Sequence, residues 1–147
     1  MTVFRAFDIA ASGLTAERLR MDIISNNIAN VNTTKTNDGN PYRRQLPVFE
    51  AVFNKEMDNI EKANKGESFN GSGVRVSQIL EDSTKFKTIY DPSHPHANDK
   101  GYVDMPNVNI VKEMVDMITA SRAYEANVTA LSTSKQIFNS ALSIGQG

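Results

Sequence analysis

Residues 109–144, which read NIVKEMVDMITASRAYEANVTALSTSKQIFNSALSI, decide the fold of this 147-residue chain. Large side chains recur there every seven residues, at Ile110, Met117, Tyr124, Leu131 and Phe138. Their companions four residues further on are Met114, Ser121, Val128, Lys135 and Leu142. This heptad pattern predicts a helix with an apolar seam, roughly 50 Å long at about 1.5 Å per residue. Because the stretch carries only six charges, we expect the helix to be buried on several sides.

A second heptad pattern lies near the other end of the chain. Its first column is Phe7, Leu14, Met21 and Ile28, and its second column, three residues later, is Ala10, Glu17, Ile24 and Val31. No proline lies between residues 2 and 40, so the pattern predicts a helix from about residue 3 to residue 30. The small residues around Gly13 mark a face where another backbone can come close.

Four asparagines crowd the end of this predicted helix: Asn26, Asn27, Asn30 and Asn32. Asparagine tolerates the left-handed conformation and bonds its own backbone, so the cluster is typical of a helix cap followed by a turn. The other interpretation is a polar zipper, in which these side chains bond a neighbouring chain. The spacing favours the cap and leaves both interpretations open.

The region between the two patterns differs from them in composition. It holds four of the five prolines and carries ten positive and eleven negative residues, whereas each end of the chain is neutral. Alternating side chains predict strands at residues 74–80 and 85–90, and residues 42–49 also have strand character, with Arg43 and Arg44 as an exposed or ion-paired strand end. Residues 64–73 predict a flexible loop. Residues 48–63 are ambiguous, although Phe49, Val52, Phe53, Met57 and Ile60 fit a helical face.

The predicted fold is therefore mainly α with a small β unit. We divide the chain into an N-terminal helix (1–32), a small β-rich middle region of two to four strands (33–105) and a C-terminal helix (106–147). The two helices are expected to pair as an antiparallel coiled-coil hairpin. Apolar residues lie outside both seams, among them Ile9, Leu19, Ile23, Val111, Val115, Ile118 and Ile137. Apolar area that a hairpin leaves exposed indicates an interaction surface, and contacts between copies that do not close give filaments or tubes.

Composition argues against several classes of function. The chain has no cysteine, which excludes disulfides, cysteine-ligated zinc and thiol catalysis. Its net charge of −1 counts against nucleic-acid binding. No apolar run approaches the roughly 20 residues of a membrane span. Arg5 and Asp8 interrupt the first apolar stretch, so we expect no cleaved secretory signal.

One cluster resembles a metal site. His94 and His96 lie between Asp91 and Asp99, and imidazole and carboxylate groups are metal ligands. The neighbouring prolines more simply predict a rigid turn with both imidazoles exposed. We therefore predict no metal, no cofactor, no catalytic residue and no enzymatic activity; a metal-dependent enzyme that uses the two histidines stays the least favoured alternative.

Two stretches resemble known sequence signatures. Residues 11–33, ASGLTAERLRMDIISNNIANVNT, are similar to the amino-terminal signature of bacterial flagellar rod and hook proteins. Residues 106–128, from PNVN through EMV to RAYEANV, resemble their carboxy-terminal signature. Residues 90–108, with YDPSHP and GYVDMPNV, and the short length are similar to the proximal members of the flagellar basal-body rod protein family.

This resemblance implies a structural subunit of the flagellar basal body, beyond the cytoplasmic membrane. Such a subunit is exported unfolded through the flagellar type III apparatus and then stacks with copies of itself and with other rod proteins to transmit motor torque to the hook. Another secreted helical-tube or adhesin-like assembly protein is the alternative. The residues expected to form the assembly interface are Phe7, Leu14, Met21, Ile24, Asn26, Asn27, Ile28, Asn30, Ile110, Met114, Met117, Tyr124, Val128, Leu131 and Phe138.

Overall fold

The structure, a computed structural model, describes residues 2–53 and 71–145. Helix α1 spans Thr2–Ala29 and helix α2 spans Ile110–Gly145, close to the predicted bounds. Between the helices the described residues form four strands: β1 (Gln45–Phe53), β2 (Gly71–Glu81), β3 (Lys87–Tyr90) and β4 (Tyr102–Met105). The prediction of a mainly helical chain with a small β region is confirmed.

Local hydrogen bonds explain where the helices begin and end. The Asn109 side chain caps α2, because its Oδ1 accepts the backbone N–H of Lys112 at 3.2 Å. At the end of α1, Asn30 Nδ2 donates to the backbone carbonyl of Asn26 at 3.0 Å, and Thr33 Oγ1 donates to Asn30 Oδ1 at 3.2 Å. No described residue other than glycine has a positive φ, so Asn26 and Asn30 close the helix through their side chains rather than through a left-handed turn.

The strands form two small sheets. β1 pairs with β2, and β3 pairs antiparallel with β4 in a register that places Lys87 opposite Met105 and Tyr90 opposite Tyr102. Strands were expected at residues 74–80 and 85–90, which lie within β2 and overlap β3. β4 was not predicted, because its four residues are too few to establish an alternating pattern.

Two predictions for the middle region need correction where the structure describes it. The predicted loop 64–73 ends early, since residues 71–73 already belong to β2. Gly73 has a φ of +110°, and a Cβ there would clash with Ser12 Oγ, so a glycine is needed for the strand to approach α1. The ambiguity at residues 48–63 is settled for residues 48–53, which continue β1 and do not form the helical face considered there. The remainder of both predictions lies outside the described residues.

The chain divides into two compact units. Unit 1 comprises Met1–Arg18, Val48–Ser77 and Ser121–Gly147, and unit 2 comprises Leu19–Pro47 and Gln78–Ala120. Each unit therefore contains part of α1, part of α2 and part of the β region.

The helices run antiparallel within each unit. In unit 1 the Phe4 and Phe138 rings meet edge to face with centroids 5.7 Å apart. In unit 2 the Asn27 amide donates to the Glu113 carboxylate at 3.0 Å. In both pairs an early residue of α1 meets a late residue of α2 or the reverse, which confirms the predicted antiparallel pairing.

The buried face of each helix differs in part from the predicted seam. On α1 the most buried residues include Ala10, Ala16, Ile23 and Ile24, whereas the first predicted column (Phe7, Leu14, Met21 and Ile28) is half-buried along the edge of that face. On α2 the first column from Met117 to Phe138 is half-buried as expected, but four of its five predicted companions (Met114, Val128, Lys135 and Leu142) are exposed. The inward positions lie three residues after the column, at Ala120 and Asn127. The small side chain of Ala120 lets the helices come close, so the inward companions of the column lie three residues after it rather than the predicted four.

Candidate functional site, an assembly interface

A buried polar cluster lies at the centre of unit 2. We call its three members, Asn27, Arg44 and Glu113, the polar joint. Asn27 is on α1, Glu113 is on α2, and Arg44 immediately precedes β1. Glu113 has no solvent exposure, Asn27 is 1% exposed and Arg44 is 8% exposed. Because buried polar groups are costly unless they are paired, this cluster specifies one arrangement of the three segments.

Asn27 bonds to three different parts of unit 2. Its Nδ2 donates to the Gln45 carbonyl at 2.9 Å and to Glu113 Oε2 at 3.0 Å. Its Oδ1 accepts the Gln45 backbone N–H and the Tyr42 hydroxyl, each at 2.9 Å. The side chain thus pairs with both backbone groups of Gln45, as a neighbouring strand would, and fixes the start of β1 against α1.

Arg44 neutralises the buried carboxylate from the opposite side. Its Nε donates to Glu113 Oε1 at 2.5 Å, and the other edge of the guanidinium reaches Asp116 at 3.3 Å and Asp82 at 3.7 Å. The Arg44 backbone N–H is held by Asn107 Oδ1 at 2.9 Å. A planar guanidinium suits several carboxylates at once, and removing one partner of a buried pair typically costs about 3–5 kcal/mol.

Two side chains at the edge of the joint have shifted pKa values. Burial, followed by the nearby Glu113 and Glu81 carboxylates, raises the pKa of the Tyr42 hydroxyl. The pKa of Asp82 is lowered, chiefly by the backbone N–H of Thr84, which donates to Asp82 Oδ1 at 2.9 Å, and further by the charge of Arg44. The joint therefore favours a neutral Tyr42 and an ionised Asp82.

In unit 1 the two helices come into close contact at Gly13. A Cβ on Gly13 would lie 2.8 Å from Asn127 Nδ2, so α2 rests directly on the backbone of α1 at this point. Ser12 Oγ donates to the Ile9 carbonyl at 2.7 Å and accepts the Val74 backbone N–H at 3.1 Å, which ties β2 to α1. The predicted small-residue face around Gly13 is therefore a site of close backbone approach.

The side of α2 that faces away from the joint is apolar and exposed. Val111, Met114, Val115 and Ile118, which we call the α2 stripe, follow the spacing of one helical face. Val111 is 71% exposed and Ile118 is 62% exposed. A contiguous row of large apolar side chains on the surface of an isolated chain marks an interaction site.

Unit 1 also exposes large apolar residues near the end of α2. Ile137, Leu142 and Ile144 are exposed there, and Phe4 of α1 is exposed although its ring contacts Phe138. These residues point to more than one side of the helix. Within the described part of the chain, this end of α2 has little cover of its own.

The predicted interface residues fall into three groups in the structure. Ile24 and Asn27 are buried inside unit 2, so their side chains already have partners within the chain. The half-buried group lies along the edges of the helix contacts: Phe7, Leu14, Met21, Ile28, Asn30, Met117, Tyr124, Leu131 and Phe138. The exposed group, which is open to a neighbour, is Asn26, Ile110, Met114 and Val128.

The histidine cluster forms a turn of its own. The His96 backbone N–H donates to His94 Nδ1 at 3.1 Å, and His96 Nδ1 lies 2.8 Å from Thr34 Oγ1. Asp91 bonds Ser93, whose hydroxyl holds the pKa of Asp91 below its usual range. No group of three or more His, Asp or Glu side chains is placed to hold a metal in residues 2–53 and 71–145.

Sequence reasoning missed the polar joint. Arg43 and Arg44 were expected to be exposed or ion-paired. Arg44 is ion-paired, and its partner is the buried Glu113. The signal that was overlooked is Glu113, an acidic residue seven positions before Ala120 in the inward column of α2. A charge in such a column needs a partner of opposite sign, and the paired arginines before β1 are the obvious source.

Taken together, these features define a class of protein. The described residues contain no helix that is long and apolar enough to cross a membrane. The joint connects three segments of the chain, and the exposed apolar surface lies on a helix. The class is a helical subunit whose two long terminal helices leave large apolar side chains exposed.

Comparison with known proteins identifies the family. Residues 7–35 match the family described as flagella basal body rod protein, and residues 99–144 match the family described as flagellar basal body rod FlgEFG protein C-terminal. The chain therefore belongs to the family of flagellar basal-body rod proteins.

The relatives cover the chain from end to end. The flagellar basal-body rod protein FlgC of Borreliella burgdorferi is 51% identical over the whole of both chains. FlgC of Bacillus subtilis is 42% identical over 99% of this chain and 100% of the relative, and FlgC of Aquifex aeolicus is 48% identical over 94% and 93%. The predicted resemblance to the proximal rod members is thus confirmed at full length.

Proposed function

We propose that this chain is a structural subunit of the flagellar basal-body rod and that it assembles through the exposed apolar surface of its helices. The observation that carries the proposal is the α2 stripe, in which four large apolar residues are exposed on the face opposite a fully buried glutamate. Full-length relatives named as basal-body rod proteins support the rod as the assembly and the basal body as its location.

The polar joint explains how a small subunit can carry load. It ties α1, α2 and the start of β1 together through directional bonds rather than through a large apolar core. Directional bonds resist sliding of one segment past another, because sliding would leave buried charges unpaired. A subunit that passes torque to its neighbours needs this kind of fixed register.

The partners we propose are copies of this chain and other rod proteins. Delivery through the flagellar type III export apparatus fits a chain without cysteine. Because residues 2–53 and 71–145 bury few apolar side chains, unfolding before export is inexpensive. The role is structural rather than catalytic. The alternative of an unrelated helical-tube or adhesin-like protein is not favoured, since the relatives match along the entire chain as rod proteins.

A charged variant of the α2 stripe tests this function. Val115→Asp combined with Ile118→Asp places two carboxylates on a surface that a neighbour is expected to cover. In the host strain that lacks its own copy of the protein, this variant should be produced and exported but absent from purified basal bodies, and the cells should not swim. Circular dichroism should give the helix content and melting temperature of the wild-type chain, because both side chains are exposed.

The matched control adds the same charge elsewhere in unit 2. Asn37→Asp combined with Ser83→Asp changes two exposed polar residues and should leave swimming and incorporation intact. Normal swimming with the stripe variant would refute the proposed role of the stripe.

A further inference from the structure

A groove opens beside the first turn of α2 in unit 2. Its cavity volume is about 560 Å³. One wall consists of Lys85, Lys87 and Ile89, alternate residues that share one face of the chain leading into β3. The other walls are the segment after α1 at residues 31–32 and the segment 105–111 that leads into α2. We call this feature the basic groove.

The charged side chains that line the basic groove are all positive. Lys85 and Lys87 line it, and no acidic side chain does. The two lysines are exposed, and neither makes an ion pair within residues 2–53 and 71–145. Since the whole chain has a net charge of −1, this is a local excess rather than a general property of the surface.

Two carboxylates close to these lysines in the chain or on the paired strand are engaged elsewhere. Asp104 accepts the Thr88 hydroxyl at 2.9 Å, and Thr88 points to the opposite face of β3 from Lys87 and Ile89. Asp82 is bonded to Thr84 and faces Arg44. The lysine ammonium groups of the groove are therefore available to a carboxylate that comes from outside unit 2.

The basic groove is also apolar and continuous with the α2 stripe. Ile89, Ile110 and Val111 line it and are all exposed. Val111 belongs to both features, so one partner can cover the groove and the stripe together. An apolar wall beside two cations distinguishes the groove from a simple phosphate or nucleic-acid site, where contacts to the ligand are mostly polar.

We propose that the basic groove receives a segment of a neighbouring rod subunit that carries acidic side chains next to apolar ones. This proposal rests on the proposed function and adds the chemistry of the partner. The apolar contacts supply affinity, while the Lys85 and Lys87 pairs select the partner and set its orientation. The groove can thus discriminate between rod subunits with similar helices by the charge of the segment that each one inserts.

Charge reversal in the groove is the first test. Lys85→Glu combined with Lys87→Glu should reduce incorporation into basal bodies about tenfold or more, because like charges across an interface oppose docking. Lys85→Arg combined with Lys87→Arg should retain incorporation. The control, Lys35→Glu combined with Lys100→Glu, reverses two exposed lysines of unit 2 outside the groove and should have little effect. Wild-type incorporation of the groove variant would overturn the proposal.

Photo-cross-linking in assembled basal bodies is the second test. A benzoylphenylalanine placed at Lys87 should cross-link to a peptide of a neighbouring rod subunit that contains Asp or Glu beside apolar residues. A cross-link within one copy of this chain, to a lipid or to a peptide without acidic residues would overturn the proposal, and so would the lack of any cross-link. If the charge-reversed groove variant assembles normally and the stripe variant does not, the proposed function stands and the groove proposal is wrong. If the groove variant and the stripe variant both assemble normally, the proposed function and the groove proposal are both wrong.

Discussion

The first turns of α2 have a charged residue on the face that points inward and apolar residues on the face that points outward. This is the reverse of what is expected of a protein that functions as a monomer. The inward face carries Glu113, which is fully buried, and the outward face carries the apolar α2 stripe. In a monomer that functions alone, apolar residues would lie inside and charges outside. The inner face therefore fixes the arrangement of the segments within unit 2, while the outer face offers the exposed apolar area through which we propose that the subunit assembles.

Mutations on the two faces of α2 should therefore have different effects. Damage to the polar joint should lower the stability of the isolated chain, because its groups are buried and all their partners lie within the same chain. Damage to the stripe should leave the isolated chain unchanged and affect only the assembled rod. Stability and assembly are therefore separable measurements on one helix.

The largest expected effect on stability comes from Glu113→Ala. This variant leaves the Arg44 guanidinium and the Asn27 amide without their shared partner, and it should lower the free energy of unfolding by about 3–5 kcal/mol. Urea unfolding of the isolated chain, followed by circular dichroism, measures the change. The matched control is Val115→Ala on the opposite face, which should change stability by less than about 0.5 kcal/mol. Equal losses in the two variants would contradict the assignment of the two faces.

A smaller effect, with a defined pH dependence, is expected from Tyr42→Phe. Removal of the hydroxyl takes one hydrogen bond from Asn27 and should cost about 1 kcal/mol at neutral pH. The pKa of Tyr42 is raised in the folded chain, so above the ordinary tyrosine pKa the unfolded chain loses this proton first and stability falls as the pH rises. The variant should lack this part of the alkaline loss. An unfolding midpoint measured from pH 8 to pH 11 that falls equally steeply in both chains would contradict the account.

The long elements could be predicted from the sequence, and the reason is periodicity. Seven-residue repeats extend over four to five heptads in each helix, so the bounds of α1 and α2 follow closely. The strand β2 was predicted from clean alternation at residues 74–80. The short strand β4 has too few residues for any period to be visible.

The candidate site was only partly predictable, because it depends on contacts between distant segments. Arg44 and Glu113 are 69 residues apart, and no local pattern connects them. The asparagine cluster illustrates the same limit: Asn26 and Asn30 close the helix as a cap, whereas Asn27 pairs with the start of β1 and with α2. Spacing shows that Asn27 faces a different direction from Asn26 and Asn30, but it does not show which segment lies opposite each side chain.

The most direct test of the central claim uses the natural lack of cysteine. Val115→Cys introduces a single thiol on the α2 stripe, and Ser83→Cys introduces one on an exposed loop as a control. Maleimide should label both thiols rapidly in the isolated chain. In purified basal bodies the stripe thiol should be protected about tenfold or more while the control keeps its rate, because a neighbouring subunit covers the stripe. Equal labelling of the stripe thiol in the isolated chain and in the basal body would contradict the claim.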